Sequence, residues 1–174
     1  MTTSASALQA PPPGRYIIDT ATSTVAFTTK HMFGLGTVRG RFSVAEGAVT
    51  IADRVEDSTA RAEIDAASFS SRNPVRDGQV RSRLFLHARS HPMISFRADG
   101  IRQREDGWAV AGTLTVKGKS APVELTVTDV QAKGAAVVFT AHTVVDRHAL
   151  GVTMFPGMAA RHLSLDITAH AFRA

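Results

Sequence analysis

Residues 24–31 read TVAFTTKH, and the alternation within them decides the fold. Val25, Phe27, Thr29 and His31 fall on one side of an extended chain and Ala26, Thr28 and Lys30 on the other, the two-residue period of a strand with one face toward a core. The same period runs through Val38, Gly40, Phe42 and Val44, through Ala60, Ala62 and Ile64, and through Ile94, Phe96 and Ala98. It returns at Trp108, Val110, Gly112, Leu114 and Val116, at Val123, Leu125 and Val127, at Val137, Phe139 and Ala141, and at Leu163, Leu165 and Ile167. Between the runs, Glu46-Gly47, Glu105-Asp106-Gly107, Lys117-Gly118-Lys119 and Lys133-Gly134 carry the chemistry of tight reversals between antiparallel strands. One stretch breaks the pattern. Asn73 can cap a helix that Pro74 begins, and Arg76, Val80 and Leu84 share a face at a spacing of four, so a helix is predicted over residues 73–84 with an Asp77–Arg81 ion pair along it.

A lone short helix cannot cover about eight strands that each carry one apolar face, so closure into an antiparallel barrel, which also removes exposed edges, is the economical solution. A barrel of that size is just wide enough to be filled by its own side chains or to hold one ligand. The inward set mixes large residues (Phe27, Phe42, Phe96, Trp108, Phe139) with small ones (Ala60, Ala62, Ala98, Gly112, Ala141). The small ones leave room, and the period alone leaves a dry interior and a hollow one both open.

The 174 residues, 44% hydrophobic and 20% charged, suit one globular domain. Residues 1–14, MTTSASALQAPPPG, read as a disordered or extended arm, and residues 15–174 as the barrel domain. The arm lacks the basic start and apolar run of an export signal, so with Met1 as the native start a cytoplasmic location is expected. The absence of cysteine excludes disulfides, thiol catalysis and thiolate metal sites. A formal charge of +5 favours anionic company, an anionic membrane surface included. A stripe of Arg39, Arg41, Arg97, Arg102 and Arg104 could serve a basic interaction face, but Tyr16 and Trp108 are the only Tyr and Trp available to stack on bases, which disfavours nucleic acid. No catalytic or metal residues are expected. His87 and His91 have a helical metal-ligand spacing that Pro92 interrupts, and Ser82, His91 and Asp99 lack a strained nucleophile turn.

Four further stretches carry a resemblance. They are YIIDTATSTVAFTTKHMFGLGTVRGRF at residues 16–42, VRDGQVRSRLF at 75–85 followed by SHPMISF at 90–96, VAGTLTVKGKSAPVEL at 110–125, and VVDRHALGV at 144–152. In that order they resemble the YceI-like family. The chain departs from the family pattern at Gln79, at Leu84 to His87, and at Ala149 and Leu150. The resemblance implies an all-β, lipocalin-like extended antiparallel up-and-down barrel with one or two short helices, which binds a polyisoprenoid, an isoprenoid quinone or a polyprenyl phosphate without catalysis. The bound lipid would be the only cofactor-like group, and the resemblance leaves a homodimer open.

A forty-carbon tail at about 0.8 kcal/mol per buried carbon group carries roughly 30 kcal/mol of gross transfer energy, more than any complex displays. Tail ordering and competition with a membrane offset most of it, so selectivity falls to polar groups at the mouth. His31, Arg76, Arg81 and Arg147 are the expected head-group residues. Phe27, Phe33, Phe42, Ala62, Phe85, Phe96, Trp108, Leu114 and Phe139 are expected to line the interior, and Phe155 with Pro156 to form a lid.

Overall fold

The computed structural model describes residues 8–31, 36–153 and 160–174, His31 by its backbone alone. Along the chain these form β1 (Gly14–Ile18), β2 (Thr24–His31), β3 (Gly36–Ile51), β4 (Thr59–Asp65), α1 (Pro74–Arg81), β5 (Met93–Arg104), β6 (Gly107–Val116), β7 (Lys119–Lys133), β8 (Ala136–Asp146) and β9 (His162–Arg173). From β2 to β9 each strand pairs antiparallel with the next, and β9 returns to β2 through Phe27 opposite Leu165. The result is the predicted closed up-and-down barrel of eight staves with one α-helix. β1 prolongs the stave of β2, since Tyr16 pairs with Val49 of β3 and Arg173 of β9 beyond the point where β2 leaves them.

Three local expectations are corrected. Glu46-Gly47 is not a reversal, because β3 runs unbroken from Gly36 to Ile51 with only a register shift at Val44/Glu46 against β4. The glycine answers a close approach instead: a Cβ on Gly47 would stand 2.5 Å from Ile18 Cδ1. The helix stops at Arg81, where the Ser82 hydroxyl donates to the Gln79 carbonyl and the Leu86 and Ala88 N–H groups fold back onto the Val80 and Arg81 carbonyls. Leu84 is thereby left outside it and 44% exposed. Asp77 and Arg81 do not form the expected pair. The buried Asp77 carboxylate accepts from the Ser71 N–H and hydroxyl, and Arg81 donates to the Phe69 carbonyl, partners that face inward where the helix axis offers only solvent.

The arm is corrected too, as far as it is described. Residues 8–13 are extended but not detached: Leu8 packs against the barrel core, Pro12 accepts a hydrogen bond of 2.7 Å from the Tyr16 hydroxyl, and Pro13 accepts one from Arg173. Pro12 and Pro13 precede β1, so their carbonyls have no strand ladder to satisfy and are free to receive these donors.

The interior divides along the barrel axis. One end is closed by Tyr16, Ile51, Trp108, Val110, Val127, Val137, Phe139 and Ala171, all buried, with Phe96 and Leu8 against them. The other end is built from two clusters, one around Val116, Val145 and Leu150 and one around Phe27, Val38 and Phe69. Across that second end lie α1 and the segment before it, anchored where Arg41 of β3 and Ser70 exchange both backbone hydrogen bonds at 2.9 and 3.0 Å.

Candidate ligand-binding cavity

The α1 end encloses a cavity of about 440 Å³. Its walls come from seven of the eight staves, all but β7: Val25 and Phe27 of β2, Val38 and Phe42 of β3, Ile64 of β4, Ile94 of β5, Leu114 and Val116 of β6, Val145 of β8, Leu163 and Leu165 of β9. Phe69 closes one side in an aromatic trio, its ring 5.1 Å from Phe27 and 5.3 Å from Phe42. Few polar groups reach the space, namely Thr29 and Lys30 at the end of β2, Arg76 and Gln79 of α1, and Arg147. Such a mostly apolar hollow with a few placed polar groups has the character of a small-molecule site.

The sequence-derived candidates fall into three sets. Phe27, Phe42, Arg76, Phe85, Leu114 and Arg147 are brought together around the cavity. Ala62, Arg81, Phe96, Trp108 and Phe139 are not. Trp108 and Phe139 fill the closed end, Phe96 packs there, and Ala62 stands between Gly47 and Phe96 in the strand register, below the cavity. Arg81 turns to the Phe69 carbonyl, so it steadies the aromatic wall from behind. The His31 side chain, Phe33, Phe155 and Pro156 lie outside the described residues.

Arg147 is 4% exposed and spans the base of the last long connection, donating from Nε to the Ala160 carbonyl at 2.8 Å and from Nη1 to the Val152 carbonyl at 2.9 Å. Burial pushes its guanidinium pKa down, and neighbouring Asp146 works in the opposite sense. It is therefore both a cavity-wall cation and a loop fastener. Beside it Asp146 receives Arg161 Nε at 3.0 Å and Nη2 at 2.8 Å, plus the His148 N–H at 2.9 Å. The Arg161 hydrogen bonds hold the Asp146 carboxyl well below the usual carboxylate range and raise Arg161 in return.

The sign of that shift sets a pH dependence. A carboxylate depressed in the fold contributes stability above its unfolded value of about 3.9 and loses it as pH falls toward the folded value. Asp146→Asn is expected to lower the thermal midpoint at neutral pH, and the gap to the parent should close as pH drops below about 4. Midpoints read by circular dichroism from pH 7 downward check this, and a gap constant across the series contradicts it.

Several wall residues escaped the sequence reading. Phe69 sits in AASFSS, outside any alternation, just beyond a short 3-10 turn (Ala66–Ser68) that Asp65 caps through the Ala67 N–H. Alternation places Lys30 on the wet face, but where a strand ends at a mouth both of its faces border the opening. Among the described residues no cluster of three or more His, Cys, Asp or Glu could hold a metal ion, and no helix is long and apolar enough to cross a membrane. The basic stripe is partly neutralised, since Arg102 and Arg104 converge on Glu124 at 3.1 and 2.9 Å.

The YceI-like domain model matches residues 16–171, so the chain belongs to the YceI-like family. Among curated relatives, UPF0312 proteins of Yersinia pestis (strain Pestoides F) and Pectobacterium carotovorum are 28% and 26% identical over 102 residues, 58% of this chain. The match spans about half the length of those relatives, 53%. Of solved structures, Burkholderia cenocepacia BcnA superposes with a TM-score of 0.75 at 24% identity, covering 88% of this chain and 98% of that one. A polyisoprenoid binding domain from Saccharophagus degradans, implicated in plant cell wall breakdown, gives 0.71 at 13% identity, covering 91% and 98%. The Campylobacter jejuni YceI protein gives 0.63 at 19% identity, covering 79% and 85%. These likenesses establish the shared barrel.

Proposed function

We propose that this protein binds a long-chain amphiphile of the polyisoprenoid kind in the α1-end cavity and carries it without changing it chemically. The observation that carries the reading is an apolar hollow of about 440 Å³ left open in a barrel whose other half is filled. Membership of the YceI-like family and the polyisoprenoid-binding description of the Saccharophagus degradans neighbour support the same ligand class. Arg76, Lys30 and Gln79 supply cationic and amide donors for an anionic or quinone head, while the tail takes the aromatic and aliphatic wall. Because a tail is equally well solvated in a membrane, net transfer depends on those mouth contacts, and the +5 charge favours collection at an anionic membrane face.

Organic extracts of gently purified protein, measured by mass spectrometry, are expected to contain a long-chain amphiphile near one per chain. Extracts that stay empty from protein grown in its own host, together with no uptake of added polyprenol, would overturn the proposal.

A further inference from the structure

Among the described residues the barrel wall is not sealed all the way round. β7 pairs with β6 along its whole first half, Lys119 to Val127, but its pairing with β8 begins only at Thr126 opposite His142. β8 from Thr143 to Asp146 pairs with β9 alone. One link crosses this stretch among the described residues, the Thr143 hydroxyl donating to the Glu124 carbonyl at 2.8 Å. That bond shows which way Glu124 faces, and alternate residues of a strand turn their backbone groups to the same neighbour. Pro122, two residues back, therefore presents a position without an N–H to β8, which removes a ladder hydrogen bond there.

A second hollow, of about 260 Å³, occupies this gap. Its lining includes inward residues, Ala121 and Val123 of β7 and Val145 of β8, together with outward ones, Pro122, Val144 and His162. Residues of both sheet faces thus border this hollow, with Asp146 and Ala149 completing its lining. Leu114, Val145 and Leu150 line this space and the main cavity alike, so three apolar side chains form the partition between them.

Size gives the gap a use. At about 30 Å³ per heavy atom, the share of a molecule in liquid water, the main cavity of about 440 Å³ holds roughly fifteen non-hydrogen atoms. A long polyprenyl tail exceeds that severalfold. We propose that the opening between β7 and β8 takes the distal part of such a tail, which passes Leu114, Val145 and Leu150 and leaves the barrel sideways. The proposal rests on the binding reading above and adds the route and the tail class.

The chain has no cysteine, which permits a removable plug. Val144→Cys, at a position 53% exposed on the lip, is coupled through a disulfide to a bulky thiosulfonate reagent, and Ala149→Cys, which lines the same hollow from the connection after β8, serves as a second variant. Farnesol, short enough for the main cavity, and solanesol, far too long for it, are each offered from phosphatidylcholine vesicles and occupancy is read by native mass spectrometry. The plug is expected to cut solanesol occupancy about tenfold or more while farnesol stays within about twofold, and reductant should restore solanesol. Solanesol binding unchanged by both plugs, or an equal fall for both alcohols, overturns the lateral route while leaving the cavity reading intact. Failure of the unplugged protein to take up farnesol overturns the cavity reading, and the route with it.

Discussion

Trp108→Ala is expected to lower the free energy of unfolding by about 3–5 kcal/mol, the range for truncating a buried aromatic to alanine. The residue is 2% exposed and stands amid Tyr16, Val127, Phe139 and Ala171, where the barrel has no spare space to collapse into the vacancy. Against a total stability of roughly 5–15 kcal/mol for a domain of this kind, that loss is a large fraction of the margin. Urea unfolding followed by circular dichroism gives the number, because removing the sole tryptophan also removes the intrinsic fluorophore. A lowered midpoint with unchanged slope is the expected signature of lost packing. A loss below about 1 kcal/mol would mean that the closed end is loosely filled, contrary to its burial. Folded variant at low temperature should still take up lipid, since Trp108 lies outside the cavity wall.

The placement of Trp108 also shows what the sequence made legible. The period-two pattern gave the strands and the inward faces, because alternation is a local property of the chain. It did not say at which height along the axis each inward residue would stand, and that depends on strand stagger. Small inward residues are compatible with room for a ligand, but Gly112 lies beneath the Phe96 ring: a Cβ there would stand 2.7 Å from Phe96 Cε2 and 2.5 Å from the Arg97 carbonyl oxygen. Smallness at that height answers a neighbour's bulk. The hollow lies instead among Val, Ile, Leu and Phe side chains at the α1 end. Arg76 was legible through the helix start, but Phe69 and the turn of Arg81 toward it were not, since both follow from a segment that folds onto β3 from outside any periodic run.

Leu165→Trp puts the void itself to the test. Leu165 lies in β9 at the cavity wall, opposite Phe27 in the register, and β5, which carries Ile94 into the same space, is the stave directly across the ring. An indole at Leu165 would project from one wall toward the other and cut the hollow in two. If about five tail carbons are shut out at about 0.8 kcal/mol each, intrinsic affinity falls by roughly a thousandfold, and competition with vesicles reduces the visible loss to about a hundredfold or more. Stability should move the other way or not at all. Extra apolar volume in a filled core costs about 1–3 kcal/mol, but here it enters space that no described side chain occupies and gains contacts on both faces. A thermal midpoint equal to or above that of the parent, together with lost uptake of farnesol, marks a real cavity that is also the binding site. A midpoint several degrees lower would show that the apparent space collapses in solution, and retained uptake would place the ligand elsewhere on the protein.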